Sequence, residues 1–192
     1  MQEVKKALRK DLISRRKAMS ISYRQQADES IFAQLKPLID NADSVLTYVS
    51  TEIEVDTQRV LEYCFETGKR VAVPVSGDHE LFFYEIKRFS DLALGRFSIM
   101  EPVCRDVAFT GDEKSLCIVP ALCADGDGLR LGYGRGYYDR FLSSFNGMSV
   151  IVCYSDFRRQ VPAEPHDVRA DMTIFDTLDS NGGQNGQQRF PR

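Results

Sequence analysis

"SLCIVPALCADGDGLRLGYGRGYYDRFL", residues 115 to 142, decides the fold. Its first eight residues run apolar without alternation, the pattern of a strand buried on both faces. At its far end Tyr138, Phe141, Leu142 and, just beyond, Phe145 fall at i, i+3, i+4 and i+7, so a helix begins there. Between them lies a loop with glycines at 132, 134 and 136. A buried strand, a glycine-rich connection and a helix, in that order, are the repeating unit of an α/β sheet.

The flanking sequence extends the same alternation. Residues 2 to 18 read as a helix on the i+4 spacing of Val4, Leu8 and Leu12, with the basic residues on the other flank. Ser22 and Gln25 fit a capping box opening a second helix, whose stripe is Ala27, Ile31, Leu35 and Leu38. "SVLTYVS" reads as a strand, and "VDTQRVLEYCFETGKR" as a helix with Asp56 or Thr57 near its cap and Gly68 at its end. "RVAVPV" and "LFFYEI" are strands, the first expected at an edge or ending at Pro74. Residues 87 to 114 read as loop with short pieces, "MSVIVCYS" as a buried strand and "DMTIF" as a short last one. The expected fold is a single three-layer α/β domain over 1–179, with a mostly parallel central sheet flanked by helices. Residues 180–192, low in complexity, are expected as a disordered tail.

Bulk composition narrows the function classes. With 43% hydrophobic and 28% charged residues the chain has the balance of a folded globular protein. Its 25 basic against 28 acidic side chains give −3, so no global field draws it to nucleic acid or a membrane surface. The basic residues among positions 1 to 22 have no interleaved aromatics of the kind that bind single strands. Five cysteines without a CxxC pair suit reduced, buried thiols in a cytoplasmic protein better than a disulfide framework or a zinc site. Thiols in apolar strands are raised in pKa, which argues against a cysteine nucleophile.

The GxGxG spacing at 132–136 is neither the GxGxxG dinucleotide fingerprint nor the GxxxxGK[ST] P-loop. Two readings stand: plain turn chemistry, or a phosphate cradle in which glycines admit backbone N–H groups and the next helix offers its positive end. Arg130 and Arg135 add charge-assisted donors. Asp139 is either a favourable charge at the helix start or a ligand for Mg²⁺. Tyr137 and Tyr138 cannot share a helix face: Tyr138 leans to the core and Tyr137 to a pocket wall. Lys5 and Arg9 are i, i+4 neighbours able to grip one phosphate group, or simply a solvated face. "STEIEVDT" puts Glu52, Glu54 and Asp56 on one side of an extended segment, with Ile53 and Val55 opposite. His166 and Asp167 form a polar loop without a second histidine for a metal triad.

Together, "KKALRKDLISRR", "EIEVDT", "GRFSIMEP", "PALCADGDGLRLGYGRGYYDRFL" and "QVPAEPHDV" resemble the 5-formyltetrahydrofolate cyclo-ligase family, over residues 3 to 177 and in the family's order. "RLGYGRGYYDR" is the most specific of these motifs. The resemblance implies an α/β enzyme that couples ATP hydrolysis, with Mg²⁺, to cyclisation of 5-formyltetrahydrofolate into 5,10-methenyltetrahydrofolate. It implies that Lys5 and Arg9 meet ATP phosphates, and that Arg130, Leu131, Gly132, Tyr133, Gly134, Arg135, Gly136, Tyr137 and Tyr138 form the nucleotide loop. By the same resemblance Arg130 and Tyr137 are catalytic, and Asp139 with Asp167 holds the metal. Glu54 matches the pterin-binding carboxylate, with Val49, Tyr137 and Tyr138 near the folate. Arg135 stands where many relatives carry glycine and others lysine. The implied partners are small molecules, with no nucleic acid or membrane, for a cytoplasmic monomer or weak homodimer. A binding protein that kept the loop without the chemistry is the alternative, disfavoured by the retention of both Asp139 and Glu54.

Overall fold

A computed structural model describes residues 2–95 and 99–178. The tail expected at 180–192, and Arg96 to Ser98 of "GRFSIMEP", lie outside the described residues. The chain begins with α1 (Gln2–Lys17) and α2 (Ile21–Asn41), then β1 (Ser44–Leu46), α3 (Gln58–Thr67), β2 (Arg70–Ser76) and β3 (Leu81–Ile86). A small hairpin follows, β4 (Leu92–Leu94) with β5 (Met100–Pro102). The decisive stretch supplies β6 (Ser115–Pro120), a short hairpin of β7 (Cys123–Ala124) and β8 (Arg130–Leu131), and α4 (Tyr137–Leu142). β9 (Met148–Cys153) and β10 (Met172–Phe175) complete the fold.

Six strands form the central sheet in the order β10-β9-β6-β1-β2-β3. All neighbours pair in parallel except β2 with β3, which form an antiparallel hairpin at one edge. The fully apolar runs sit where the sheet is covered on both faces: Leu116 to Val119 and Val150 to Cys153 are buried without alternation. The α/β class and the mostly parallel sheet are as the sequence predicts. Among the described residues, no helix is long and apolar enough to cross a membrane.

Four local readings need correction. The α2 N-cap is Ser20, whose hydroxyl accepts from Tyr23 N at 3.2 Å, so the helix starts ahead of the Ser22 box. β2 is internal and runs on to Ser76; its pairing with β1 stops at Ala72, so Pro74 lies where only β3 remains as partner. α4 is six residues long and ends before Phe145, so its macrodipole is small. The fourth concerns α1, where Val4 is 62% exposed while Lys5, Leu12 and Arg16 are buried. Leu8 and Leu12 meet the apolar core as expected, but the same inward face also carries two cations, because part of what it packs against is a rim of carbonyl and carboxylate oxygens.

Arg16 shows how that works. It is 1% exposed, yet Nη1 donates to Ile53 O at 2.8 Å and Nη2 to Ala121 O and Leu122 O at 2.6 and 3.0 Å. Its guanidinium lies over the rings of Phe157 and Tyr154, 4.8 and 5.3 Å from their centroids. The planar fork of an arginine satisfies carbonyls from two segments at once, which an ammonium does not. One side chain thus ties α1 to the segments leaving β1 and β6.

Candidate active site

Adjacent strands β1 and β6 leave their carboxyl ends in opposite senses. The chain from β1 turns through residues 47–57 into α3 and on to β2, while the chain from β6 turns through the glycine-rich segment to β9 on the other side. That divergence is the switch point at which open α/β sheets form their ligand crevice. Both segments bearing the predicted residues emerge there.

On the β1 side, "STEIEVDT" is a turn rather than an extended segment, and this reverses the expectation for its carboxylates. Glu52 stays exposed, but Glu54 is buried beside Val55. Glu54 Oε2 accepts from both Thr51 N and Thr51 Oγ1 at 2.8 Å. Behind it, Tyr48 donates to Val55 O, and Thr57 Oγ1 to Tyr48 O at 2.6 Å. Val49 lines an open cleft of about 510 Å³ with Arg24, Ser50, Phe89, Leu92 and Met100.

On the β6 side, the loop opens with an unforeseen hairpin. Asp125 Oδ1 accepts from Asp127 N and Leu129 N, turning the chain so that β8 returns along β7. Leu131 is buried and offers only backbone to a ligand. Gly134 and Gly136 have φ of 93° and 65°, which L side chains rarely adopt. Gly132 has ordinary φ and open space around its missing Cβ. Arg9 crosses from α1 and donates from Nε to Gly132 O at 2.9 Å. Arg135 is exposed. Tyr137 donates to Gly77 O at 2.9 Å, pinning the loop to the β2–β3 turn.

Tyr138 leans on the core, as expected, but its hydroxyl is buried with no partner among the described residues. Burial raises the Tyr138 phenol well above its ordinary pKa, with smaller contributions from Cys117 and Glu54. Tyr133 is 45% exposed, yet burial of its phenol and the Glu54 carboxylate raise its pKa too. Both loop tyrosines therefore lie within the field of Glu54.

Arg130 is buried under Tyr138, its Cζ 6.0 Å from the ring centroid. It donates to Val168 O and to Asp139 Oδ1, both at 3.0 Å, and Val168 N donates to the same Asp139 oxygen at 3.2 Å. Asp139 thus meets the segment that carries Asp167. That aspartate receives Lys5 Nζ on Oδ2 at 2.9 Å and Glu164 N at 2.7 Å. Lys5 also donates to Glu164 Oε2 at 2.7 Å and is 5% exposed. Burial alone would lower the Lys5 pKa, but its hydrogen bonds to Glu164 and Asp167 outweigh it and the net shift is upward.

Lys5 and Arg9 consequently grip different things, although one helix carries both. Glu164, His166 and Asp167 place ligand atoms within 4.8 Å of one another, so the loop needed a glutamate rather than a second histidine to form a triad. The buried Arg16 and the roles of Glu164 and Asp125 were not foreseen. Four of the five thiols are as expected, Cys64, Cys117, Cys123 and Cys153 being buried, which pushes Cys117 and Cys153 to about 12, whereas Cys104 is exposed because it lies in the polar segment after β5 rather than in an apolar strand.

A profile of the 5-formyltetrahydrofolate cyclo-ligase family matches residues 1–176. The chain belongs to that family. It is 29% identical over 173 residues to the 5-formyltetrahydrofolate cyclo-ligase of Mycolicibacterium smegmatis, spanning 85% of this chain and 89% of the relative. With the Escherichia coli K12 family member it shares 31% over 138 residues, 68% of this chain and 75% of that one. The solved 5,10-methenyltetrahydrofolate synthetase of Aquifex aeolicus superposes with a TM-score of 0.79 at 27% identity, covering 96% of this chain and 97% of that one.

Proposed function

We propose that this protein cyclises 5-formyltetrahydrofolate to 5,10-methenyltetrahydrofolate at the crevice between β1 and β6, using ATP and Mg²⁺. The observation that carries the reading is that Arg16 bridges Ile53 O, next to Glu54, and the carbonyls of Ala121 and Leu122 at the head of the glycine-rich segment. It joins the carboxylate matched to pterin binding and the loop matched to nucleotide binding in one site.

Bound ATP supplies the phosphoryl group that turns the formyl oxygen into a leaving group, and phosphate departs with that oxygen as the nitrogen at position 10 closes on the carbon and loses its proton. The chain's own part is to bind and orient. Glu54 accepts paired hydrogen bonds from an aminopyrimidine edge, held in place by Thr51. The buried Tyr138 hydroxyl is a donor awaiting a ligand acceptor. Gly132 leaves room for close backbone approach of a phosphate, and Arg9 and Arg130 bring charge to the same loop. No general base is needed for a phosphoryl transfer driven by positioning and charge neutralisation.

Asp139 and Asp167 suit Mg²⁺, being hard oxygen donors that each already seat a cation, Arg130 and Lys5 respectively. Mg²⁺ would neutralise phosphate charge there. Tyr137, tied to Gly77, acts by holding the loop. The substrates are small molecules, and the reduced buried thiols fit a cytoplasmic setting. Incubation with 5-formyltetrahydrofolate, ATP and Mg²⁺, followed by the absorbance of the methenyl product, tests the reading. Product that requires all three supports it, and absence of product overturns it.

A further inference from the structure

Lys5 is assigned to phosphate and Asp167 to metal, yet the two side chains hold each other. The Lys5 ammonium lies between Glu164 Oε2 at 2.7 Å and Asp167 Oδ2 at 2.9 Å, with all three side chains mostly buried. His166 Nε2 stands 3.8 Å from Glu164 Oε2 and from Asp167 Oδ1. These oxygens and the imidazole would otherwise make a set of ligand atoms of metal-binding size. The ammonium already fills it. Two cations sharing those oxygens repel each other.

Resting on the proposed nucleotide role of Lys5, we propose that its ammonium occupies the cation seat of the free protein, so that a divalent metal enters only after a triphosphate has drawn Lys5 away. Glu164 is the positioning residue that sets this order. A triphosphate offers Lys5 more negative charge than the two carboxylates it leaves. Arg9, on the same helix face, has Nη groups that donate to nothing among the described residues and are free to meet the same phosphates. When Lys5 swings out, Glu164 and Asp167 become an uncompensated pair that now favours a divalent ion. Nucleotide and metal then bind with positive coupling although neither site is preformed.

Glu164 can be altered without touching the phosphate contacts assigned to Lys5 and Arg9, and a titration of metal-free ATP leaves its share in the metal seat out of the measurement. Glu164→Gln keeps an acceptor for Lys5 but removes one charge from its grip, so ATP pulls the lysine free more easily. Calorimetric titration of ATP in the presence of EDTA should show Glu164→Gln binding metal-free ATP about three- to tenfold more tightly than the natural protein. Titration of Mn²⁺ into nucleotide-free protein should show no saturable site, whereas Lys5→Met should gain one. Equal metal-free ATP affinity in Glu164→Gln and the natural protein overturns the inference, as does Mn²⁺ binding to the natural protein without nucleotide. If MgATP itself fails to bind the natural protein, the nucleotide reading falls and takes this inference with it.

Discussion

Arg9 Nε donates to Gly132 O at 2.9 Å, so the first helix lies directly across the glycine-rich loop 123 residues away in sequence. The same guanidinium fills the space beside Gly134, where an added Cβ would come within 2.9 Å of Arg9 Cζ. Two glycines only two residues apart are thereby distinguished. Gly134 is required by the fold, and Gly132 by nothing in the fold.

Gly132→Ala should therefore leave stability unchanged and weaken ATP binding, because the methyl stands where a phosphate would approach. Gly134→Ala should lower both, through its φ of 93° and the displaced Arg9. Thermal melts and ATP titrations on the two variants check this. A Gly132→Ala protein that binds ATP normally removes the loop from the nucleotide site.

Arg16 should be worth more to stability than its charge suggests. Arg16→Met leaves the carbonyls of Ile53, Ala121 and Leu122 buried without their donor, at a cost of about 3 kcal/mol or more in urea unfolding. Arg16→Lys should recover part of this, since one ammonium reaches only one of the two segments. A loss under about 1 kcal/mol for the methionine variant contradicts the role.

Glu54→Gln keeps an acceptor for Thr51 and so keeps the turn, but loses the charge that pairs with an aminopyrimidine. Folate affinity should fall roughly 10- to 100-fold, the worth of a charge-assisted hydrogen bond, with ATP affinity nearly unchanged. Equal losses for both ligands count against the pterin role.

Asp28 gives a pH signature of unusual sign. Burial raises its pKa above the ordinary 3.8, against the hydrogen bonds it accepts from Asp56 N and Tyr154 Oη. The folded state therefore holds the proton more tightly than the unfolded one, and the ionised group costs stability as pH rises through the raised value. Asp28→Asn should melt higher than the natural protein at pH 7. The advantage should vanish below 3.8, where Asp28 is protonated in both states. Melting curves at the two pH values decide it, and an asparagine variant that is less stable at pH 7 contradicts the assignment.

What the sequence made legible follows from the range of the forces involved. Apolar runs such as Leu116 to Val119 announce burial on both faces by composition alone, so the sheet and its parallel sense could be read directly. The α1 face could be read only in part: Leu8 and Leu12 meet the core as their spacing predicts, whereas Lys5 and Arg16 are buried by oxygens from segments more than a hundred residues away, which no local pattern shows. Glu54 is a different case: an alternation read as extended conceals a turn that brings its carboxylate back onto Thr51 N and Oγ1 three residues away. Gly68 lay between these cases: its αL conformation at the end of α3 is local, and was visible as a helix stop.

On the proposed reaction, the formyl oxygen of the substrate leaves as phosphate. Substrate labelled with ¹⁸O at the formyl group, turned over with ATP and Mg²⁺, tests it at the atom concerned. The label should be recovered in inorganic phosphate, one labelled oxygen per methenyl product. Label recovered in water would contradict it.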